Sequence, residues 1–163
     1  MKTLIIHPID ASTNFGTAIY TGLDYTVIRS GSSSFIRQQI KLHDRIVCLG
    51  HGTPTGMLRV DGGKFNGFMI DSRTVNFLRG KQNILIWCYA KDFMTKYKLN
   101  GYAIGMIISD QNDANYAGLV VPNSDIDISN LHFAQSMRTL LLTGTLGYYP
   151  ILNSVMEFNY KNM

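Results

Sequence analysis

The sequence predicts an α/β fold in which a mainly parallel sheet is covered by helices on both faces. Short runs of apolar and β-branched residues recur along the chain without polar alternation, which is typical of strands buried on both sides. Segments with helical spacing of apolar residues separate these runs. One turn, Asp61-Gly62-Gly63, lies between short apolar stretches and predicts a small β-hairpin insertion.

Length and composition favour one globular domain over residues 1–163, because 45% of the residues are hydrophobic and only 16% are charged. The net charge of +4 comes from scattered Lys and Arg residues, so we expect no nucleic-acid partner. Two cysteines are too few for a secreted disulfide scaffold. The apolar stretch before His7 and Pro8 is too short for a signal peptide or a membrane span, and we expect a cytoplasmic protein with reduced thiols and no membrane partner.

Five of the apolar runs predict the strands of the parallel sheet, and a sixth segment forms the hairpin. The predicted strands are Thr3–Ile6, Tyr25–Ile28, Ile46–Gly50, Ile84–Trp87 and Tyr102–Ile108, and the hairpin covers Met57–Ile70.

The predicted helices follow from apolar spacing and from capping residues. Residues 11–23 suggest a short helix, and Ser34, the last residue of a Ser-rich loop, is predicted to cap a helix through Leu42. Further helices are predicted at 71–78, closed by Gly80, at 93–97 and at 131–141; residues 109–127 are predicted to be loops, and 151–158 a last helix or strand.

Two of the predicted strands end on reactive side chains, His51 and Cys88. The carboxyl ends of parallel strands lie at one edge of a sheet, where binding sites collect, so we expect both side chains to face the same crevice. Cys48 lies within its strand and is predicted to be part of the core.

A thiol beside an imidazole permits nucleophilic catalysis. The imidazole of His51 can take the proton of Cys88 and later give it to a leaving amine. The amides of Gly52 and Cys88 are candidate donors to the oxyanion, since glycine leaves its amide open and a helix begins after Cys88. Ala90 is small and would let a substrate approach.

Other polar residues at the same edge are candidates for substrate binding. His7 and Asp10 follow the first strand, although an ordinary loop is the simpler interpretation. Asp110 closes the fifth strand, where a carboxylate would favour Arg or Lys in the substrate; a helix-capping or turn role for Asp110 is equally compatible. His132 lies on a helix with apolar spacing and is not expected to be catalytic.

The arrangement of these residues resembles the caspase-like cysteine peptidases, a group that includes caspases, metacaspases, legumain, clostripain, gingipain, separase and CHAT domains. The resemblance rests on an apolar strand ending in His51-Gly52 and a later one ending in Cys88 with Ala90 two residues on. The hairpin at 57–70, the segment 101–110 and the sequence Asn-Leu-His-Phe-Ala at 130–134 extend it over residues 1–142.

The resemblance implies a three-layer α/β/α sandwich, His51 as general base and acid, Cys88 as nucleophile and Gly52 as oxyanion donor. It implies neither a metal nor an organic cofactor, and dimers that join edge to edge through their sheets remain an alternative to the monomer. The sequence departs from the family at Trp87, where caspases carry Gln-Ala and CHAT domains Ser-Ala before the cysteine, and the bulk of this residue is expected to narrow the site.

The sequence therefore predicts a cysteine endopeptidase that acts on proteins or peptides through a His–Cys dyad. A catalytically inactive caspase-like module that binds a protein is the alternative, motivated by Trp87 and the short chain. A third alternative is an unrelated doubly wound domain that binds a nucleotide or a small acid, although no Gly-rich fingerprint supports it.

Overall fold

A computed structural model describes residues 1–105 and 108–144 of the chain. Its strands are β1 Thr3–Ile6, β2 Thr26–Ile28, β3 Arg45–Leu49, β4 Gly52–Thr53, β5 Gly56–Asp61, β6 Lys64–Ile70, β7 Gln82–Ile86 and β8 Gly101–Ala103. A 3₁₀ helix covers Ala11–Ile19, and the α-helices are α1 Ser33–Lys41, α2 Val75–Leu78, α3 Ala90–Tyr97, α4 Gln111–Tyr116 and α5 Asn123–Thr143. The element predicted at 151–158 lies outside the described residues.

The central sheet has five strands in the order β2-β1-β3-β7-β8, and every neighbouring pair is parallel. This confirms the predicted α/β class with a mainly parallel sheet. A second, antiparallel sheet of β4, β5 and β6 contains the predicted hairpin. Gly62 and Gly63 turn this hairpin with φ of 56° and 76°, values that favour glycine at both positions.

The two faces of the central sheet pack against different helices because side chains alternate along a strand. Leu4, Ile46, Cys48 and Leu85 face the layer that contains α1, α2 and α3. The opposite face, which includes Val47, Leu49 and Ile86, packs on the 3₁₀ helix and α5. The sheet thus lies between two helical layers, and the prediction that Cys48 belongs to the core is confirmed by its complete burial.

Three predicted boundaries are wrong for local reasons. The cap of α1 is Ser32, whose Oγ accepts from the Phe35 amide at 3.1 Å, and Ser34 lies inside the helix. The Asn and Asp content of residues 109–127 predicts loops, but this segment contains the whole of α4 and the beginning of α5. The fifth strand ends at Ala103, because the carbonyls of Ile104 and Gly105 accept the amides of the turn after Cys88.

The strand order reverses between β1 and β3, with β2 on one side and β7 on the other. A crevice opens at such a reversal, beyond the carboxyl ends of the strands. The segments that follow β1, β3 and β7 meet at this edge. Within the described part of the chain, no helix combines the length and the apolar character needed to cross a bilayer.

Candidate active site

His51 and Cys88 follow neighbouring strands at equivalent positions. The register of β3 and β7 pairs Leu49 with Ile86, and the Gly50 amide donates to the Ile86 carbonyl at 3.0 Å. His51 lies two residues beyond Leu49, and Cys88 lies two residues beyond Ile86. The two residues therefore leave adjacent strands at the same edge of the sheet, as their positions in the sequence predict.

Both side chains are directed to the face that packs on the 3₁₀ helix and α5. Cys88 is half-buried and packs against the same apolar cluster as Ile86. The imidazole of His51 contacts Asp10 and Ser12, at the start of the 3₁₀ helix.

Trp87 projects to the opposite face, into the layer of α1, α2 and α3. It is fully buried, its ring lies edge-on to Phe93, and its Nε1 donates to the Thr53 carbonyl at 3.1 Å. The sequence predicts that the bulk of Trp87 narrows the crevice, but this side chain lies on the face of the sheet opposite to Cys88.

Two polar groups contact Nε2 of His51. This atom lies 2.6 Å from Oδ2 of Asp10 and 2.6 Å from Oγ of Ser12. The Ser12 hydroxyl also donates to Oδ2 of Asp10 at 3.0 Å, which closes a triangle. The side chains of His51 and Asp10 are only about one-fifth exposed, at 23% and 22%, so solvent screens the pair less than it would a surface contact.

The hydrogen bonds that the His51 ring makes within the described residues all use Nε2. An ionised carboxylate can only accept a hydrogen bond, so a neutral ring beside Asp10 carries its proton on Nε2. In that tautomer Nδ1 keeps a lone pair, the form that a general base needs. Phe65, from the hairpin, lies edge-on to the ring with the centroids 5.4 Å apart.

Cys88 precedes a tight turn into α3. Tyr89 adopts a left-handed conformation, with φ of 68° and ψ of 18°, which costs about 1–2 kcal/mol for a residue other than glycine. The amide of Tyr89 donates to the Gly105 carbonyl at 2.5 Å, and the amide of Ala90 donates to the Trp87 carbonyl at 3.0 Å. The amino end of α3 thus begins two residues after Cys88, where a helix dipole favours negative charge.

Close packing explains why small residues occupy positions 52 and 90. Ala90 is fully buried at the start of α3, and its predicted contact with a substrate stays a prediction. A Cβ on residue 52 would lie 2.1 Å from Cδ1 of Trp87 and 2.7 Å from the Gly56 carbonyl oxygen, so glycine is needed here to make room for the indole.

The amide of Gly52 points away from the neighbouring strand. The Leu58 amide donates to the His51 carbonyl at 2.8 Å, and Gly52 faces Met57 across β4 and β5. In this antiparallel pattern the opposed pair exchanges no hydrogen bonds of its own, so the Gly52 amide is directed outward. Its role as an oxyanion donor stays a prediction, as does that of the Cys88 amide.

His7 is fully buried, and both of its ring nitrogens have partners. Nδ1 lies 2.9 Å from the Tyr20 hydroxyl, and Nε2 lies 3.2 Å from Oγ1 of Thr13. Burial, reinforced by the charge of Arg29, lowers the pKa of His7 to about 4. In this position the ring supports the loop after β1, and the substrate contact predicted for His7 stays a prediction.

A pocket of about 600 Å³ lies beside Ser12. It runs between the 3₁₀ helix and α5, and its polar lining includes Asp110, Asp127 and Asn130. The Asp110 side chain accepts from the Asp113 amide at 2.9 Å, which confirms the helix-capping alternative for this residue. Asn130 is 3% exposed; its Nδ2 donates to the Ser109 carbonyl, and its Oδ1 has no hydrogen-bond partner among residues 1–105 and 108–144.

Sequence reasoning missed Ser12 and the pairing of Asp10 with His51. The Asp10-x-Ser12 spacing carried one signal, because an aspartate two residues before a serine often caps a helical turn. In the structure Oδ1 of Asp10 accepts from the Ser12 amide at 3.2 Å, and this cap also turns Oδ2 toward the imidazole.

Neither the family models nor the curated proteins give a match to the chain. Within residues 1–105 and 108–144, no group of three or more His, Cys, Asp or Glu side chains is arranged to hold a metal ion.

Proposed function

We propose that the protein is a caspase-like cysteine peptidase with His51 and Cys88 as its catalytic dyad. One observation carries the proposal: a histidine engaged by a carboxylate through Nε2 and a half-buried cysteine leave adjacent parallel strands toward the same face of the sheet. A general base that is oriented by a third group is the arrangement that activates a nucleophile.

In the proposed mechanism, Nδ1 of His51 takes the proton of the Cys88 thiol, and the thiolate attacks the carbonyl carbon of the scissile peptide bond. The amides of Gly52 and Cys88 donate to the oxyanion of the tetrahedral intermediate. As the intermediate collapses, the C–N bond breaks and His51 gives its proton to the leaving amine. Water, deprotonated by His51, then attacks the thioester and releases the acid product.

The proposed substrate is a protein or peptide with Arg or Lys before the scissile bond. Support comes from the pocket beside Ser12, where the carboxylates of Asp110 and Asp127 provide negative charge and Asn130 provides a buried oxygen to which no described residue donates a hydrogen bond. A guanidinium or ammonium group would satisfy these acceptors. A homodimer remains an alternative to the monomer.

The inactive protein-binding module is the weaker alternative. One of its two motives, the bulk of Trp87 next to the nucleophile, loses force because this side chain lies on the other face of the sheet. A serine hydrolase is the second candidate function, because the Ser12 oxygen lies 2.6 Å from the imidazole. The Ser12 hydroxyl, however, donates to Asp10, so its proton is directed away from the base.

Active-site alkylation combined with peptide hydrolysis tests the proposal. At pH 7, iodoacetamide should modify Cys88 faster than it modifies glutathione, and His51→Ala should slow this reaction at least about 10-fold. The protein should hydrolyse a peptide amide after Arg or Lys, and Cys88→Ala should abolish this activity, while Cys48→Ala, the matched control, retains it. Absence of cleavage across a peptide library, or alkylation of Cys88 that does not depend on His51, would exclude the peptidase.

A further inference from the structure

We infer that Asp10 and Ser12 form a positioning pair that holds the proton of His51 on Nε2 and so presents the lone pair of Nδ1 to Cys88. The inference rests on the proposed peptidase function and assigns these two residues a role in it. It also moves Asp10 from the substrate-binding role that the sequence suggested to the support of the general base.

The geometry at Nε2 admits one consistent set of donors. Oδ2 of Asp10 is an acceptor only, so the Ser12 hydroxyl, 3.0 Å away, donates to it. The Ser12 oxygen then has its lone pairs available. The Nε2–H group of His51 therefore has two acceptors at 2.6 Å, the Asp10 carboxylate and the Ser12 oxygen, and both favour the same tautomer.

The same arrangement suits the charged state that catalysis creates. When the ring takes a proton from Cys88 it becomes an imidazolium, and the Nε2–H bond to Asp10 becomes a hydrogen bond between opposite charges. Such bonds are about twice as strong as neutral ones, and the low exposure of the pair limits screening by water. The Asp10 carboxylate thus stabilises the ring more after proton transfer than before it.

A buried relay of hydrogen bonds, which runs through Thr13, His7 and Tyr20, supports the backbone carbonyl of Asp10. The Thr13 amide donates to the Asp10 carbonyl at 3.2 Å, and the Thr13 hydroxyl donates to the same oxygen at 3.4 Å. Oγ1 of Thr13 lies 3.2 Å from Nε2 of His7, and Nδ1 of His7 lies 2.9 Å from the Tyr20 hydroxyl.

Arg29 favours one direction for this relay at its far end, because it leaves the Tyr20 proton available to His7. Arg29 donates to the Tyr20 oxygen at 3.1 Å, and a guanidinium cannot accept. In the direction that uses the Tyr20 proton, the Tyr20 hydroxyl donates to Nδ1 of His7, His7 donates from Nε2 to Thr13, and Thr13 donates to the Asp10 carbonyl. In this orientation each group in the series has a hydrogen-bond partner, and the series supports the loop that carries Asp10 and Ser12.

The variants follow from these roles. Asp10→Asn replaces an acceptor with an amide that can donate to Nε2, which favours the opposite tautomer. By analogy with the carboxylate of Ser-His-Asp triads, we expect kcat to fall about 10²–10⁴-fold with KM changed less than about 3-fold. Ser12→Ala removes one of two acceptors and should cost about 3–10-fold. Asp10→Glu should recover part of the activity, and Asp24→Asn, at the opposite edge of the sheet, should leave it unchanged.

The decisive measurement is the ¹⁵N NMR spectrum of the His51 ring at a pH where the ring is neutral. The signals of this ring are identified by their absence from the spectrum of His51→Gln. The wild-type protein and Cys88→Ala should both show protonated Nε2 and unprotonated Nδ1, and Asp10→Asn should show a mixture or the opposite tautomer. Thermal unfolding of each variant verifies that it is folded.

The outcomes separate the inference from the proposed function. An unchanged tautomer in folded Asp10→Asn would overturn the positioning role, and so would a fluorophosphonate adduct on Ser12, since this would make Ser12 a nucleophile. A shifted tautomer in a protein that cleaves no peptide would support the positioning of His51 while rejecting the peptidase.

Discussion

The indole nitrogen of Trp87 donates a 3.1 Å hydrogen bond to the backbone carbonyl of Thr53, two residues after His51. This bond joins the end of β7 to the segment that follows β3, on the face opposite to the candidate dyad. Trp87 also lies against Gly52, where a side chain would meet the ring. The indole therefore fixes the relative position of the two backbones that carry His51 and Cys88.

Gly52→Ala should destabilise the protein by about 1–3 kcal/mol, because the new methyl group would overlap the Trp87 ring and the Gly56 carbonyl. Urea unfolding followed by circular dichroism measures the change. Gly50→Ala is the control, since its Cβ would lie 3.3 Å from the flexible Met57 side chain, and we expect a smaller loss. Equal losses in the two variants would contradict this explanation.

Native protein should react with iodoacetamide at one thiol, and urea-unfolded protein at two. Cys48 is fully buried, and burial raises the pKa of its thiol, so it reacts only after unfolding. Intact mass counts the adducts. Cys88→Ala should give no adduct in the native state and one in urea. A second adduct on the native wild-type protein would show that Cys48 is accessible.

Stability should fall as the pH drops from about 6.5 to about 4. Burial lowers the pKa of His7 to about 4, so in this interval the unfolded chain binds a proton that the folded chain excludes. A shift of this size corresponds to at most about 3 kcal/mol, present in full above pH 6.5. Urea titrations followed by the fluorescence of the single tryptophan measure this loss.

His7→Gln is the companion to this measurement. It should be less stable than wild type at pH 7, because hydrogen bonds to Thr13 and Tyr20 are altered, but its stability should depend less on pH between 6.5 and 4. If both proteins lost the same stability between pH 6.5 and 4, the loss would come from titratable groups other than His7.

Lys98→Gly should stabilise the protein by about 1 kcal/mol. Lys98 ends α3 in a left-handed conformation, with φ of 52° and ψ of 48°, and its side chain is exposed, so glycine relieves strain without loss of contacts. Lys98→Val should destabilise by a similar amount or more, since a β-branched residue tolerates this conformation poorly. Thermal unfolding of the three proteins gives the order, and a stable Val variant would argue against a left-handed cap.

The strands, the hairpin and the shared edge of His51 and Cys88 were predictable because they depend on apolar runs and on the geometry common to all parallel sheets. The side of the sheet that Trp87 occupies followed from strand alternation, since Trp87 is one residue before Cys88, but it was not inferred. The contact of Asp10 with His51 depends on the conformation of the loop after β1, and the spacing of apolar residues in the sequence does not predict a loop conformation. The helices within 109–127 were missed because Asn and Asp mark both loops and helix starts.

The parallel pairing of β3 with β7 also determines when the site is assembled during synthesis. Parallel neighbours require a crossover, and here the crossover contains the hairpin and α2. A nascent chain that has left the ribosome only as far as β3 carries the imidazole without its partner thiol, and closing this long connection is slow compared with forming a local contact. His51 and Cys88 are therefore brought together only after most of the chain has been translated and β7 has paired with β3.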